Sequence, residues 1–193
     1  WITFSNELNQ FFENAAVILL LVDNEGSVVY INKSGIEMTG KQKGDILCHL
    51  AGEVFNCVHS CYEGKVTCGR NRDCEKCSVR NTFTDTFKTG KNYYKNEGFL
   101  DVIYENKVVR LELLISTSLI SVNNDKYVLI TIDDITKLKQ QEKELKESEQ
   151  KYKNFVSHSP DILYKFSNKK GGLFWSNRVT HILGFSPDEI NSN

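Results

Sequence analysis

Residues 22–40 read VDNEGSVVYINKSGIEMTG, and the change of period inside that stretch decides the fold. Val28 to Ile31 is β-rich, DNEG ahead of it is a hairpin turn signal, and Val17 to Val22 supplies the partner strand. Asn32 stands at the strand end, and Asn32 to Thr39 reads as a short helix stopped by Gly40. Toward the N-terminus, Leu8, Phe11 and Phe12 recur at helical spacing behind a Ser5 cap, so a short amphipathic helix spans Ser5 to Asn14.

Toward the C-terminus, Lys43 to Leu50 reads as a second short helix, and a cysteine-rich loop follows. Val79, Phe83 and Phe87 then recur every four residues up to Gly90, which predicts a longer helix from Asp73, its expected cap, to about Lys88. Three strands are predicted next, at about Gly98 to Tyr104, Val108 to Leu119 and Lys126 to Asp133. In the middle one Val109, Leu111, Leu113 and Ile115 alternate with Arg110, Glu112 and Ser116, the pattern of a half-buried antiparallel strand interrupted only by Leu114. The expected class is α+β, a five-stranded antiparallel sheet covered on one face by helices.

After Asp133 the texture becomes TKLKQQEKELKESEQKYKN, a helix without Gly or Pro. Ile135, Leu138, Leu145, Tyr152 and Val156 fit the a and d positions of a heptad frame, with Glu142 and Glu149 on the same seam. That pattern suits a weak, adjustable coiled coil, and a solvated single helix is the alternative.

The chain has 193 residues, 40% hydrophobic and 25% charged, with a net charge of -1. That is room for one packed domain plus an appendage, with no electrostatic footprint for nucleic acid or an anionic membrane. The longest apolar run, Ala15 to Val22, has strand length and falls short of a membrane span. Trp1 at the start and Met38 as the single methionine are what a piece of a longer polypeptide is expected to show.

Residues 5–136 resemble a PAS domain. VDNEGSVVYINKSGIEMTG is similar to that family's first hairpin and helix. VLITIDDITKLKQQEKEL, from Val128, is similar to its last strand ending in D-I-T, here Asp134, Ile135 and Thr136. The resemblance implies that these three relay signals from the sheet to the outgoing helix. SEQKYKNFVSHSPDILYKF and WSNRVTHILGFSPDEI resemble the entry and early part of a second copy. The implied organisation is an N-terminal helix (1–14), a PAS domain with the cysteine cluster (15–134), a signalling helix or coiled-coil linker (135–154), and the start of a truncated second PAS domain (155–193). Proteins built this way are usually bacterial sensor histidine kinases, with diguanylate cyclases and transcription activators as alternatives. The resemblance therefore implies a cytoplasmic, non-catalytic sensory fragment that forms a homodimer through the PAS domain and linker helix. Its output domain would lie further along the same chain, and any membrane anchor outside this piece. His158, in VSHSPDI, matches a PAS entry helix rather than a phosphoacceptor.

Between Cys57 and Cys77 the chain reads CVHSCYEGKVTCGRNRDCEKC, which holds five of its six cysteines and ends in a C-x2-C pair. Thiols confined to one region of a chain apolar enough to build a core point to a ligated metal or iron-sulfur centre in a reduced compartment. Disulfides and unligated reactive thiols are the alternatives. Gly52, Glu53, Cys57, His59, Cys68, Gly69, Cys74, Cys77 and Arg80 also resemble a cysteine-cluster subgroup of PAS domains. That resemblance implies Cys57, Cys68, Cys74 and Cys77 as the ligand set and leaves Cys48 and Cys61 as extras.

On the predicted helix, Cys74 and Cys77 share the first turn, where the helix dipole favours thiolate. Gly69 lets backbone amides approach the sulfurs, and Arg80, one turn on, offsets thiolate charge. The spacing accepts a [2Fe-2S] or a [4Fe-4S] cluster, and zinc stands as the alternative because Cys57-x3-Cys61 makes a second knuckle. His59 is a substitute ligand, a hydrogen-bond partner of the centre or an exposed loop residue. His49 is read as structural, and Cys48, in ILCHL, as a small buried hydrophobe. The leading expectation is a sensor of redox state or oxygen. A zinc-stapled PAS domain for dimerisation or small-ligand binding is the second reading, and an electron-transfer or thiol enzyme the third.

Overall fold

The computed structural model describes residues 5–61, 67–122, 124–169 and 171–191, except for the side chains of Cys61 and Asn191. They divide into two compact units, Trp1–Lys137 and Leu138–Asn193.

In the first unit α1 (Asn6–Glu13) is capped by Ser5, whose hydroxyl accepts from the Leu8 amide. The hairpin of β1 (Ile18–Val22) and β2 (Val28–Ile31) follows, turning on Asp23, whose carboxylate accepts from the Glu25 and Ser27 amides. Asn32 caps α2 (Lys33–Thr39), which ends at Gly40 as expected. Two four-residue helices, α3 (Ala51–Val54) and α4 (Val58–Cys61), lead into the cysteine region, and α5 (Ser78–Thr89) leads out of it. β3 (Tyr93–Tyr104), β4 (Lys107–Val122) and β5 (Asp125–Asp134) complete a five-stranded antiparallel sheet in the order β2-β1-β5-β4-β3.

Alternation along the strands sends Ile18, Leu20, Val22, Leu113, Ile115, Ile130 and Ile132 into one core with Phe55 and Phe83. On the opposite face, Tyr30 is buried against α1, where Phe12 meets its ring edge-on at 6.1 Å. Thus β2 is covered on both sides.

Three segments depart from expectation. Lys43 to Leu50 is not a helix: only Lys43–Asp45 winds, as a 3-10 turn. Beyond it the Cys48 amide donates to the Val28 carbonyl and the Val28 amide to the His49 carbonyl, each at 2.9 Å, so this backbone satisfies itself on the free edge of β2. Cys48 is therefore exposed at φ +65° instead of buried. The helix expected from Asp73 is a 3-10 turn, Arg72–Lys76, capped by Asn71, whose side chain takes the Asp73 amide. Cys77 breaks that turn and stands at the N-cap of α5, so Cys74 and Cys77 do not share one helical turn. β3 begins five residues before the predicted Gly98, across a bulge in which Lys95 adopts φ +50° and its amide bonds Ser116.

α6 (Thr136–His158) starts in the first unit and runs into the second, exposing Leu138, Leu145 and Tyr152 of the heptad seam. The second unit continues with the antiparallel pair β6 (Tyr164–Ser167) and β7 (Gly171–Trp175), then α7 (Arg178–Leu183) ending at Gly184, then α8 (Pro187–Asn191). Ser186 and Glu189 cap α8 reciprocally, the Ser186 amide donating to the Glu189 carboxylate at 2.7 Å and the Glu189 amide to the Ser186 hydroxyl at 3.3 Å. The order strand, strand, short helix, glycine repeats β1-β2-α2-Gly40. Among the described residues no helix is long and apolar enough to cross a membrane.

Candidate functional site

α3, α4, the 3-10 turn and the first turn of α5 stand at the β3 edge of the sheet and wall a cavity of about 330 Å³. Its deep end is apolar, with Val22, Phe55, Phe83, Leu100, Ile130 and Ile132. Cys57, Cys68, Cys74 and Cys77 line the same cavity. Cys57 and Cys74 are 7% exposed. Cys48 is not among the lining residues, and the Cys61 side chain lies outside the described residues.

Cys57 is fixed by its backbone. Its amide donates to the Gly52 carbonyl at 2.8 Å, it bridges Val102 of β3, and the Ile103 amide bonds the Asn56 carbonyl at 2.9 Å. The loop that carries the first cysteine is thereby hydrogen-bonded to the sheet edge. Glu53 braces the start of α3 by accepting from the Leu50 amide at 3.3 Å.

Burial pushes the Cys57 thiol up to about 11, and the Cys68 and Cys77 thiols also rise, because a desolvated thiolate is costly. Backbone amides oppose that cost: His59 faces the Cys57 sulfur, Gly52 the Cys68 sulfur, and Val79 and Arg80 the Cys77 sulfur. Cys77 stands where a capping side chain would, without making an ordinary capping hydrogen bond. Its sulfur nevertheless gains from the two amides. The thiols also feel one another: Cys57 is raised further by Cys77, Cys68 and Cys74, and Cys68 by Cys74 and Cys77. Arg80 works the other way on Cys68 and Cys77.

At φ +90°, a Cβ on Gly69 would fall on the Arg80 guanidinium, so this glycine leaves room for the arginine. His59 contributes its backbone amide to Cys57, while its ring is 3.6 Å from the Asp73 carboxylate. Sequence reading missed Asp101 and Arg110. Arg110 donates twice to Asp101, at 2.8 and 2.7 Å, and stacks 4.1 Å over Phe99 at the cavity rim. The Arg110 guanidinium holds the Asp101 carboxyl below the usual range. Opposite charges directly across β3 and β4 were the available signal.

Among the described residues no group of three or more His, Cys, Asp and Glu side chains stands in metal-holding geometry. The donor chemistry nevertheless fits a soft centre: four thiols lining one cavity, amides aimed at three of the sulfurs, a neighbouring guanidinium and apolar residues among the lining.

A stability effect follows for the metal-free chain. A thiol whose folded pKa lies above its ordinary value of about 9 contributes stability that is complete below pH 9 and is lost as pH rises through about 11. Urea midpoints of metal-free protein are expected to fall between pH 9 and 11, and the fall to be shallower in Cys57→Ala. An equal fall in that variant contradicts the assignment.

Asp134, Ile135 and Thr136 join the sheet to α6. The Ile135 amide donates to the Glu112 carbonyl at 2.9 Å, the Thr136 hydroxyl accepts from the Glu112 amide at 2.9 Å, and the Thr136 amide donates to Asp134 at 2.9 Å. β4 thus grips the first turn of the outgoing helix through both backbone groups of Glu112.

A family model described as "PAS domain" matches residues 14–137. No curated protein sequence matches the chain. The PAS domain of nitrogen regulation protein NR(II) from Vibrio parahaemolyticus is 11% identical with a TM-score of 0.49, covering 68% of this chain and 100% of its own. A PAS domain from a two-component sensor histidine kinase is 10% identical with a TM-score of 0.44, over 66% of this chain and 93% of its own. An RNA-binding light-oxygen-voltage receptor is 11% identical with a TM-score of 0.50, over 82% of this chain and 42% of its own. At these identities the likeness is one of fold.

Proposed function

The chain belongs to the PAS domain family, and from that premise we propose that it is the sensory module of a bacterial signal-transduction protein, a sensor histidine kinase, that responds to redox state or oxygen through an iron-sulfur cluster held by Cys57, Cys68, Cys74 and Cys77. The observation that supports this reading is that four thiols line one cavity, with backbone amides directed at three of them. Bound there, a cluster supplies a one-electron change whose charge the cavity must absorb. The chain's own part is to bind through the four sulfurs, to tune with the His59, Gly52, Val79 and Arg80 amides and the Arg80 guanidinium, and to exclude water with Phe55, Phe83 and Leu100.

A change at the cysteines reaches the output through hydrogen bonds already named. Cys57 and Asn56 pull on Val102 and Ile103 of β3, β3 is paired along its length with β4, and Glu112 of β4 holds Ile135 and Thr136. Asp134, Ile135 and Thr136 then set the start of α6. Its Leu138, Leu145 and Tyr152 stripe pairs with a second copy as a weak coiled coil, the two glutamates of the seam keeping it adjustable. Residues 155–193 begin a second PAS domain, and a cytoplasmic output domain lies further along the chain. Function by analogy of fold stops there.

Iron and acid-labile sulfide analysis of protein purified without oxygen, with visible and electron paramagnetic resonance spectra in both redox states, tests the reading. Iron and sulfide with a reducible visible chromophore are expected. A colourless protein loaded with zinc replaces the reading by a zinc-stapled domain.

A further inference from the structure

The ligand set has an assembly problem. Cys74 and Cys77 arrive together on the 3-10 turn and the start of α5, but Cys57 is bound to the sheet edge and Cys68 stands in a separate turn further along the chain. One residue touches both. The Gly52 carbonyl accepts from the Cys57 amide at 2.8 Å and from the Ser60 hydroxyl at 2.9 Å, and that hydroxyl also reaches the Cys57 carbonyl at 2.9 Å. A Cβ on Gly52 would lie 2.5 Å from the Cys68 sulfur, 3.1 Å from the Cys68 Cβ and 3.6 Å from the Cys57 Cβ. No side chain fits there without displacing Cys68, since real Cβ atoms do not come that close to anything. Gly52 has no positive φ to account for it, so the missing side chain, not the backbone conformation, is what the site uses.

We propose that Gly52 is a positioning residue of the cysteine centre, its carbonyl fixing Cys57 and its bare Cα admitting the Cys68 sulfur, so that these two cysteines serve as ligands of one soft metal centre. This rests on the reading of the four cysteines as joint ligands and adds what brings them together. The Gly52 amide, which also faces the Cys68 sulfur, makes the residue an outer-shell partner as well as a spacer. Gly44 is the natural control, since nothing lies within 4 Å of where its Cβ would be.

The test is an anaerobic titration of reduced, metal-stripped full chain with Co²⁺, read by thiolate-to-cobalt charge-transfer and ligand-field absorption. The wild type and Gly44→Ala are expected to show a four-thiolate tetrahedral spectrum. Gly52→Ala is expected to bind about 10- to 100-fold more weakly, the cost typical of losing an outer-shell partner, with charge-transfer intensity reduced toward that of fewer thiolates. Ser60→Ala, which removes the hydroxyl brace, is expected to weaken binding about fivefold, the equivalent of one hydrogen bond. Wild-type affinity and spectrum in Gly52→Ala overturn the proposal, as does the absence of thiolate bands in the wild type. If circular dichroism shows Gly52→Ala unfolded, wild-type behaviour of Ser60→Ala overturns it. A wild type that binds Co²⁺ through four thiolates yet carries no iron or sulfide when purified anaerobically overturns the iron-sulfur reading and leaves the role of Gly52 standing.

Discussion

Alanine at any one of Cys57, Cys68, Cys74 or Cys77 is expected to abolish iron and sulfide content and visible absorption in protein purified without oxygen, while Cys48→Ala keeps both at the wild-type level. The all-or-none size of the effect follows from the donor set. Among the described residues a soft centre in this cavity has four thiols to draw on, and no other described lining side chain supplies a soft ligand. His59 is the nearest substitute, but its ring is turned to Asp73. Cys48 is exposed and lies outside the cavity wall, so its loss removes nothing. Loss of ligation is separable from loss of fold. In metal-free protein each alanine removes one small side chain and is expected to cost about 1 kcal/mol, read as the shift of a urea midpoint. If instead the wild type unfolds on metal removal, the centre is a structural staple. If a single variant keeps its full cluster, that cysteine is no ligand.

How far the residues announced this arrangement depends on how local its causes are. The β1-β2 hairpin and α2 were readable because β-rich apolar runs of strand length, an Asx turn at Asp23 and an Asn cap at Asn32 all act within a few residues. The start of β3 was not, because its bulge at Lys95 is stabilised by Ser116, 21 residues away. Nor was Lys43–Leu50, which read as a short helix but whose backbone pairs instead with the open edge of β2. At the site, the density of cysteines is a local fact and was visible. The cap of the 3-10 turn was misjudged because two Asx residues compete there, and Asn71 reaches the Asp73 amide first. Gly52 stood in the resembled motif, but its role could not be read: a Cβ there would meet the Cys68 sulfur, 16 residues on, and only the folded chain brings the two together.

Asn32→Leu is expected to lower the stability of the metal-free domain by about 3 to 4 kcal/mol, a large share of the roughly 5 to 15 kcal/mol that holds a domain folded. Asn32 is 0% exposed, and its amide is spent completely. Its oxygen accepts from the Leu19 amide at 3.0 Å and the Gly35 amide at 3.1 Å, and its nitrogen donates to the carbonyls of Val17 at 2.9 Å, Phe12 at 3.2 Å and Ala15 at 3.3 Å. One side chain thus ties β1, α2 and the segment after α1; leucine leaves the buried Leu19 and Gly35 amides without that acceptor and takes a donor from the part-buried carbonyls of Val17, Phe12 and Ala15, of which Phe12 keeps the Ala15 amide and Ala15 the Ser34 hydroxyl. Asn32→Asp separates the two halves of that role. Aspartate keeps the acceptor oxygen for Leu19 and Gly35 but turns the donor into a second oxygen facing three carbonyls, a site that disfavours the carboxylate and raises its folded pKa. A raised folded pKa gives stability that is complete below the unfolded carboxyl value of about 4 and is lost as pH rises through the folded value. Measured against wild type at each pH, the deficit of Asn32→Asp is therefore expected to grow from pH 4 to 8, while that of Asn32→Leu stays level. An aspartate variant as stable as wild type at pH 8 would mean that the nitrogen bonds carry no weight, and that α1 and β1 are held by packing alone.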